Sequence, residues 1–390
     1  MKNLYTLLII IFAFILMSSC SDDQVNNTVE PLEVPEQIND GWETATPEDV
    51  GLRSIPLAMM MDEIESQTHH SIHDILIIKN NKLVFEKYFF NRAHRSDPPR
   101  QTSTYIQYKR DDLHYLASVS KSVTSVAFGN AVLNGFINSD MQKKVSEYLP
   151  QYSSILTGTK ENLTVEHLLT MTTGLNFDET TYPYGDYRND ITRLFTRPDP
   201  IEFVLSKDMH AEPGEQFFYN SGATNVLAEI IRQTSGSNLL DYTVENVFTP
   251  LGITQYRWER LSSEYYFASG GLWLTPRDLA KIGSLFLNGG QWNGTQIISQ
   301  EWVDASKAFH VNPHWGMANG YGYQWWSNWN TGIRNFQNYF FAAGYGEQMM
   351  YINPELDMIV VFNCGYFGTP ELISPEGLLR EYIVLSTLTE

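Results

Sequence analysis

The stretch "LASVSKSVTS", Leu116 to Ser125, contains the only S-x-x-K pair of the chain, Ser118 and Lys121. A serine hydroxyl is a weak nucleophile until a neighbouring base takes its proton. A lysine can act as that base where burial or a cationic neighbour lowers its pKa. Residues three apart share one face of a helix, so these two side chains would meet. The pair therefore predicts a serine nucleophile with a lysine base.

The same stretch also fits a polar helix face with no chemistry. At helical spacing it forms an apolar stripe (Val119, Val123, Ala127, Ala131) and a polar stripe (Ser118, Lys121, Ser122, Ser125). An S-x-x-K pair occurs by chance about once in a chain of this size. On this motif alone, a solvated polar face remains an open interpretation.

Two further stretches carry residues that could complete a site. "EPGEQFFYNSGATN" places Tyr219 on a loop before a predicted helix, where a tyrosine near a lysine can act as a base or a proton donor. The alternative is simple packing, since the chain has 22 tyrosines. "FFAAGYGEQ" places Ala342-Ala343-Gly344 on a β-run, and the glycine permits close approach of another backbone. The alternative there is a strand with a bulge.

The pattern of elements indicates a mixed α/β chain. "IHDILIIKNNKLVFEKYFF" predicts a hairpin around residues 79–82, and "YFFAAGYGEQMMYINPELDMIVVFNCG" predicts further strands near the other end. Helices are predicted between them, with Thr164 and Thr275 as N-caps, and over the terminal "PEGLLREYIVLSTL". We therefore expect one antiparallel sheet built from both chain ends, with a helical block inserted between them.

The N-terminal residues predict export and anchoring. "MKNLYTLLIIIFAFILMSSC" has a basic start, an apolar run and small residues before Cys20, which predicts a lipoprotein signal peptide over 1–20 with lipidation at Cys20. The alternative is an ordinary signal peptide with an incidental cysteine. The polar, acidic residues 21–45 predict a disordered tether. We expect a membrane-anchored lipoprotein of a bacterial cell envelope, periplasmic or surface-exposed, that contacts the membrane through the lipid anchor only.

Composition excludes several classes of function. The 390 residues carry a net charge of −19, which disfavours binding to nucleic acid. The two cysteines, Cys20 and Cys364, offer no disulfide framework once Cys20 is assigned to the signal peptide. No group of side chains has convincing metal-ligand spacing, so neither metal nor cofactor is expected. We interpret His114 and His167 as structural residues.

Taken in order, these motifs resemble the serine β-lactamase and penicillin-recognising family, in particular its class C and esterase branch. The strings "TVEHLLTMTTGL", "PLGI", "GGLWLTPRDLAKIGSLFLNGGQW" and "YGYQWW" resemble the family as well, and the resemblance runs from Glu48 to the C-terminus. It implies an α/β (α+β) fold, an antiparallel sheet flanked by helices with an inserted all-helical lobe. The hydrolase domain would span 46–390, with a sheet lobe at about 46–125 and 295–390 and a helical lobe at about 126–294.

The resemblance also implies roles for individual residues. Ser118 would be the acylated nucleophile, Lys121 the proton shuttle and Tyr219 the base or acid. Ser221 stands where the family's Y-x-N motif has asparagine. The oxyanion hole would use the backbone N–H groups of Ser118 and of Tyr345, which follows Ala342, Ala343 and Gly344.

Three departures from the family pattern concern the substrate. Ala342 replaces the lysine or histidine that binds the substrate carboxylate, which removes a charge-assisted hydrogen bond worth about 1.5–3 kcal/mol. Ser221 shortens a side chain that would bond a substrate amide, and Glu347 adds negative charge where many relatives have glycine. These departures argue against an anionic β-lactam or a D-Ala-D-Ala peptide. They are compatible with the family's esterases and aminohexanoate-oligomer hydrolases.

The sequence therefore predicts a serine hydrolase that cleaves an ester or amide bond of a small-molecule substrate through a Ser118 acyl-enzyme. One alternative is a β-lactamase or D,D-peptidase acting on penicillins or peptidoglycan. The other is a non-catalytic binding lipoprotein that keeps the fold. The aromatic and acidic loop of residues 177–190 would either line the substrate pocket or lie on the surface.

Overall fold

A computed structural model of the chain describes residues 32–67, 70–96, 99–316, 318–329, 338–368 and 373–387. The predicted signal peptide, Cys20 and the first part of the predicted tether lie outside these residues. The strands are β1 (Glu43–Thr44), β2 (Ile72–Lys79), β3 (Lys82–Tyr88), β4 (Phe90–Ser96), β5 (Pro99–Gln107), β6 (His114–Tyr115), β7 (Tyr256–Trp258), β8 (Leu272–Leu274), β9 (Gln291–Trp292), β10 (Thr295–Gln296), β11 (Gly320–Tyr321), β12 (Trp326–Asn328), β13 (Tyr339–Gly344), β14 (Gln348–Asn353) and β15 (Met358–Cys364). The α-helices are α1 (Ser54–Ser66), α2 (Val119–Leu133), α3 (Val145–Tyr148), α4 (Val165–Leu169), α5 (Asp190–Leu194), α6 (Pro200–Leu205), α7 (Ser221–Ser235), α8 (Leu239–Thr243), α9 (Pro276–Leu287), α10 (Gln300–Lys307), α11 (Pro375–Leu378) and α12 (Val384–Ser386).

The main sheet joins strands from both ends of the chain. Its order is β1-β3-β2-β15-β14-β13-β12-β11, and neighbours are antiparallel except for β1 and β3, which are parallel. The hairpin between β2 and β3 turns at Asn80 and Asn81, whose φ angles of 52° and 59° lie in the left-handed region that asparagine tolerates. The predicted fold class, an antiparallel sheet built from both chain ends, is confirmed.

Helix α9 covers the sheet. Thr275 caps it by accepting a hydrogen bond from the Asp278 N–H, and Pro276 occupies its first turn. Its buried Phe286 ring lies 5.7 Å from the Phe340 ring of β13. The predicted helical lobe, at about 126–294, included this helix. The structure places it on the sheet instead, because its apolar face requires an apolar partner.

The inserted helices surround α2, which is buried along nearly its whole length. Helix α2 packs against α7 on one side and β13 on the other. Thr164 caps the short helix α4 as predicted, since its hydroxyl accepts from the His167 N–H. The helix ends at Leu169, and two residues later Met171 adopts a left-handed backbone with a φ of 58°.

Residues Glu36–Ala45, here called the N-terminal strap, are bound to the folded body. The buried Arg277 pairs with Asp40 at 2.9 Å and with Glu86 at 2.6 Å, and it donates to the Glu36 carbonyl at 3.0 Å. The Trp42 indole donates to the Arg277 carbonyl at 3.2 Å. The predicted disordered tether over 21–45 is therefore too long at its C-terminal end, where these partners order the chain.

None of the helices that the structure describes combines the length and the apolar composition required to cross a bilayer.

Candidate active site

Ser118 lies at the start of α2, on a tight and strained turn. The N–H groups of Val119 and Ser120 donate to the carbonyls of Leu116 and Ala117, both at 3.1 Å. Ala117 has a φ of 46°, a left-handed conformation that costs an alanine roughly 1 kcal/mol. Such strain is concentrated at functional sites, where it fixes a side chain in position. Here it precedes the half-buried Ser118, which lines open space at the start of the helix.

Lys121 lies against the Ser118 hydroxyl. Its Nζ is 2.9 Å from Ser118 Oγ and 2.9 Å from the Ser269 carbonyl oxygen, and it lies 4.8 Å from the centre of the Tyr219 ring. Burial lowers the pKa of Lys121 from 10.5 to about 8, against the opposing charge of Glu179. At pH 7 roughly a tenth of the lysine is therefore the neutral amine that can accept a proton.

The hydroxyl groups of α2 that follow Lys121, two of them on the polar stripe, are buried and bonded to backbone carbonyls. Ser122 donates to Gln324 at 2.7 Å, Thr124 to Ala268 at 2.9 Å and Ser125 to Tyr323 at 2.8 Å. The interpretation of α2 as a solvated polar face is wrong. These hydroxyls fix the helix to the segments around it, and so they fix the position of its first turn.

Tyr219 approaches the same hydroxyl from the loop before α7. Asn220 caps that helix by accepting from the Ala223 N–H at 3.2 Å, and the Tyr219 ring stacks on Trp326 at 5.6 Å. Burial raises the pKa of Tyr219 well above 10, although its hydrogen bond with Ser118 opposes the shift. The phenol is therefore protonated at neutral pH, as a proton donor must be.

Strand β13 passes against the turn that carries Ser118. A Cβ added at Gly344 would lie only 2.4 Å from the Leu116 carbonyl oxygen. The pairing of β13 with β14 continues in register to Gly344 and Gln348, so the glycine does not mark a bulge. It is required for the close approach of the two backbones.

This approach brings together the two amides expected to bind an oxyanion. Within the described part of the chain, neither the Ser118 N–H nor the Tyr345 N–H donates to another residue. Both residues line the open space at Ser118. Two unused backbone donors flanking a nucleophile can stabilise a developing negative charge on a carbonyl oxygen.

Ser118 opens onto two cavities, of about 240 Å³ and about 530 Å³. Ser118, Tyr184 and Tyr345 line both cavities, and the two tyrosine rings pack edge to face at 5.1 Å. The smaller cavity has mainly apolar walls that include Ile191, Phe195 and Phe267. The larger has aromatic walls that include Phe217, Trp315 and Trp326. A substrate bound at Ser118 can place one group in each cavity.

The charged groups at these cavities are acidic. Glu259 lines the smaller cavity and Glu347 lines the larger one. Among the described residues, no lysine or arginine side chain lines either cavity, and His314 is the remaining basic group at the larger one. Relatives bind the substrate carboxylate with a lysine or histidine at the position of Ala342. No lysine or arginine elsewhere on the described walls replaces that residue.

Two of the predicted substrate-binding residues lie away from both cavities. The Ser221 and Ala342 side chains are fully buried and line neither cavity. Ser221 is the first residue of α7 and faces the interior, and Ala342 pairs with Met350 inside the sheet. Ala343, Gly344 and Tyr345 do reach the larger cavity. The expected direct contacts of Ser221 and Ala342 with substrate are not supported by these positions.

Glu179 is a residue at the site that the sequence did not single out. It lies on the loop of residues 177–190, and only 4% of it is exposed. Its Oε1 accepts a hydrogen bond from the Ser221 N–H at 2.9 Å. Tyr184, from the same loop, lines both cavities, so this loop forms a wall of the site. In the sequence, the acidic and aromatic composition of this loop was the one signal that it could line the substrate pocket.

The histidines near these motifs contact other residues of the fold. His114 is fully buried, with Nε2 3.1 Å from Asp74 Oδ2, and His167 Nδ1 accepts from the Thr164 N–H at 3.2 Å. In the part of the chain that the structure describes, no group of three or more His, Cys, Asp or Glu side chains could hold a metal ion.

Comparison with known proteins agrees with this geometry. A sequence model of the Beta-lactamase family matches residues 73–373. The chain is 25% identical over 347 residues to the 6-aminohexanoate-dimer hydrolase of Paenarthrobacter ureafaciens, covering 81% of this chain and 79% of that protein.

Solved structures share the fold. A family VIII carboxylesterase is similar at a TM-score of 0.64 and 15% identity, covering 84% of this chain and 95% of that one. The penicillin binding protein from Bacillus halodurans is similar at a TM-score of 0.62 and 18% identity, covering 85% of this chain and all of that one. The prediction of a serine hydrolase is confirmed at the level of the family and its hydrolase relatives. The chain belongs to the Beta-lactamase family.

Proposed function

We propose that this protein hydrolyses an ester or amide bond through an acyl-enzyme on Ser118. The observation that carries the proposal is the 2.9 Å contact between Lys121 Nζ and Ser118 Oγ, made at the junction of two cavities. The buried amine has a pKa of about 8, so it can accept the serine proton near neutral pH.

In the acylation step, Ser118 Oγ attacks the carbonyl carbon while Lys121 takes the hydroxyl proton. The carbonyl oxygen becomes an oxyanion, and the N–H groups of Ser118 and Tyr345 stabilise it. The bond to the leaving oxygen or nitrogen then breaks, and the leaving atom takes a proton. Tyr219 supplies that proton, since its hydroxyl contacts Ser118 and its raised pKa keeps it protonated. Lys121 then returns the proton it holds to Tyr219.

In the deacylation step, a water molecule replaces the leaving group. It attacks the acyl carbon and gives a proton to the regenerated Lys121 amine. The bond between the acyl carbon and Ser118 Oγ then breaks, and the departing oxygen takes that proton from Lys121, which releases a carboxylic acid and free Ser118. No metal or cofactor takes part in this scheme.

The preferred substrate has apolar or neutral groups on both sides of the scissile bond. The cavity walls are largely aromatic and apolar, and among the described residues they carry no lysine or arginine side chain that could bind an anionic group. Such walls favour simple esters and amides over penicillins, whose carboxylate would find no lysine or arginine partner on the described walls.

Lipid anchoring through Cys20 in a bacterial envelope is part of the same proposal and is supported by the sequence pattern of residues 1–20. In a bacterial expression host, radiolabelled fatty acid should be incorporated into the wild-type protein. It should be absent from Cys20→Ala. Equal labelling of both proteins would contradict lipidation at Cys20.

The nucleophile is tested by Ser118→Ala with a short-chain p-nitrophenyl ester as substrate. We expect the variant to lose hydrolysis and labelling by a fluorophosphonate probe while keeping its far-ultraviolet circular dichroism spectrum. Ser122→Ala is the matched control, because it removes a buried hydroxyl of the same helix that bonds only the Gln324 carbonyl. Full activity in Ser118→Ala would refute the proposed function.

A further inference from the structure

Two tyrosine rings divide the open space at Ser118. Tyr184 and Tyr345 line both cavities, as Ser118 does, and their rings pack edge to face with centroids 5.1 Å apart and an interplanar angle of 64°. Aromatic rings at that distance and angle are in direct contact, so no substrate atom passes between them. A substrate that reaches from one cavity to the other must therefore pass between this ring pair and Ser118. The two rings are here called the tyrosine partition.

The Tyr345 ring is supported by Phe367. The two rings lie 5.6 Å apart, and only 5% of Phe367 is exposed. A Cβ added at Gly346 would lie 2.4 Å from the Phe367 ring, so the glycine is required for this ring to lie against the end of the strand. The Tyr345 hydroxyl lies close to Gly368, where an added Cβ would be 3.5 Å away. Tyr345 is therefore fixed by contacts with both Tyr184 and Phe367.

Tyr184 is fixed by hydrogen bonds of the backbone on either side of it. The Asn189 side chain donates to the Tyr182 carbonyl at 2.7 Å, and the Gly185 N–H donates to the Thr192 hydroxyl at 2.9 Å. Side chains that are held by packing and by a hydrogen-bonded backbone keep the shape of a site constant. The tyrosine partition is therefore a fixed wall opposite the nucleophile.

The proposed reaction places the atoms next to the scissile bond at this wall. The carbonyl carbon bonds to Ser118 Oγ, so the groups attached to that carbon lie between Ser118 and the two rings. Tyr219, which protonates the leaving atom in the proposed mechanism, lines the larger cavity and not the smaller one. The leaving group therefore occupies the larger cavity, and the acyl group enters the smaller one past the tyrosine partition.

The shape of the acyl group next to the carbonyl decides whether it can pass. A straight chain presents one CH₂ group to the tyrosine partition, whereas a branched chain adds methyl groups at the same point. We propose that Tyr184 and Tyr345 determine specificity by excluding acyl groups that are branched at the carbon next to the carbonyl, so that the enzyme selects straight-chain acyl esters and amides. This inference rests on the proposed function of Ser118.

The test measures kcat/KM for p-nitrophenyl pentanoate and for its branched isomer, p-nitrophenyl 2,2-dimethylpropanoate. The two esters share their composition and leaving group, and their different intrinsic reactivity cancels when a variant is compared with the wild type. Fitting one extra carbon into a pocket changes kcat/KM about 10–200-fold, so Tyr184→Ala and Tyr345→Ala should each raise the branched-to-linear ratio at least about tenfold. Any disturbance of the Tyr345 N–H slows both esters alike and leaves the ratio unaffected.

Two variants control for effects other than the shape of the wall. Tyr184→Phe keeps the ring and should keep the wild-type ratio within about twofold. Tyr187→Ala removes a tyrosine of the same loop that is 79% exposed and lines neither cavity, and it should leave the ratio unchanged. If Tyr184→Ala does not fold, as judged by circular dichroism, Tyr184→Leu provides a smaller apolar side chain with the same expected rise.

An unchanged ratio in the alanine variants would overturn the inference. An equal loss of rate with both esters would also overturn it, since that result assigns the rings a structural role. So would a raised ratio in Tyr184→Phe, which assigns the effect to the hydroxyl. The two proposals fail separately. If Ser118→Ala remains active, the proposed function is wrong, whereas an inactive Ser118→Ala with an unchanged ratio in the alanine variants refutes only the role of the tyrosine partition.

Discussion

Replacing Gly344 with alanine tests whether the contact between β13 and the Ser118 turn positions the oxyanion-binding amides. The added Cβ would lie 2.4 Å from the Leu116 carbonyl oxygen and 3.2 Å from Ala117 Cβ. Real Cβ atoms stay beyond about 3.0 Å, so one backbone must move by at least about 0.6 Å. The φ of Gly344 lies outside the left-handed region, so the effect comes from this contact alone.

The displacement separates the two amides, because Ser118 follows Ala117 and Tyr345 follows Gly344. A shift approaching 1 Å at a reacting group costs about 10²-fold in rate, and loss of one oxyanion donor costs about 10²–10³-fold. We therefore expect kcat/KM for a p-nitrophenyl ester to fall about 10²-fold. The free energy of unfolding, measured by urea denaturation, should fall by about 1–3 kcal/mol.

Gly129→Ala separates the loss of positioning from general destabilisation. Its Cβ would lie 2.3 Å from the buried Trp302 ring, roughly three turns along the same helix from Ser118. This control should lose similar stability but keep kcat/KM within about threefold when assayed below its unfolding transition. The reasoning is refuted if Gly344→Ala also keeps kcat/KM within threefold, or if both variants lose activity equally.

Four further predictions follow from the site. Lys121→Met should lower the acylation rate about 10²–10⁴-fold in burst kinetics, and an intact burst would exclude Lys121 as the base. The folded protein lowers the pKa of Lys121 to about 8 from 10.5, so the unfolded chain binds more protons between these values. Stability in urea should therefore rise as the pH increases from about 8 to 10.5, and Lys121→Met should lack this rise. Tyr219→Phe should slow alkyl amides far more than p-nitrophenyl esters, whose leaving group departs without a proton, and equal slowing would indicate a base instead. Fluorescent penicillin should label the wild type weakly or not at all, and stoichiometric labelling would favour the β-lactamase or D,D-peptidase alternative.

The parts of the site that the sequence predicted are those encoded by neighbouring residues. The S-x-x-K spacing alone places Lys121 beside Ser118 on one helical turn. The Asn80-Asn81 turn and the Thr275 cap are likewise local signals, and the structure contains both. Such features need only the conformation of one element, which a short stretch of sequence determines.

The parts that the sequence missed depend on partners far along the chain. The Ser221 N–H that holds Glu179 lies 42 residues away, and Arg277 lies 237 residues from Asp40. The direction of the Ser221 side chain could not be inferred either, because it depends on how α7 packs rather than on the Y-x-S spacing. The polar stripe of α2 was ambiguous for the same reason, since its hydroxyls bond carbonyls from distant segments.

The N-terminal strap has a mechanical consequence. A pull from the N-terminal side would load the ion pair of Glu36 with Arg110 first and then Arg277, which is 97% buried in its side chain and pairs with Asp40 and Glu86. Breaking a buried ion pair costs about 3–5 kcal/mol, and the short parallel pairing of β1 with β3 adds resistance. These contacts, which would resist the applied force, lie at the β1–β3 edge of the main sheet. If a force is applied at the strap, the turn at Ala117 and Ser118 lies outside the loaded contacts, so the strained geometry of the Ser118 turn would be kept.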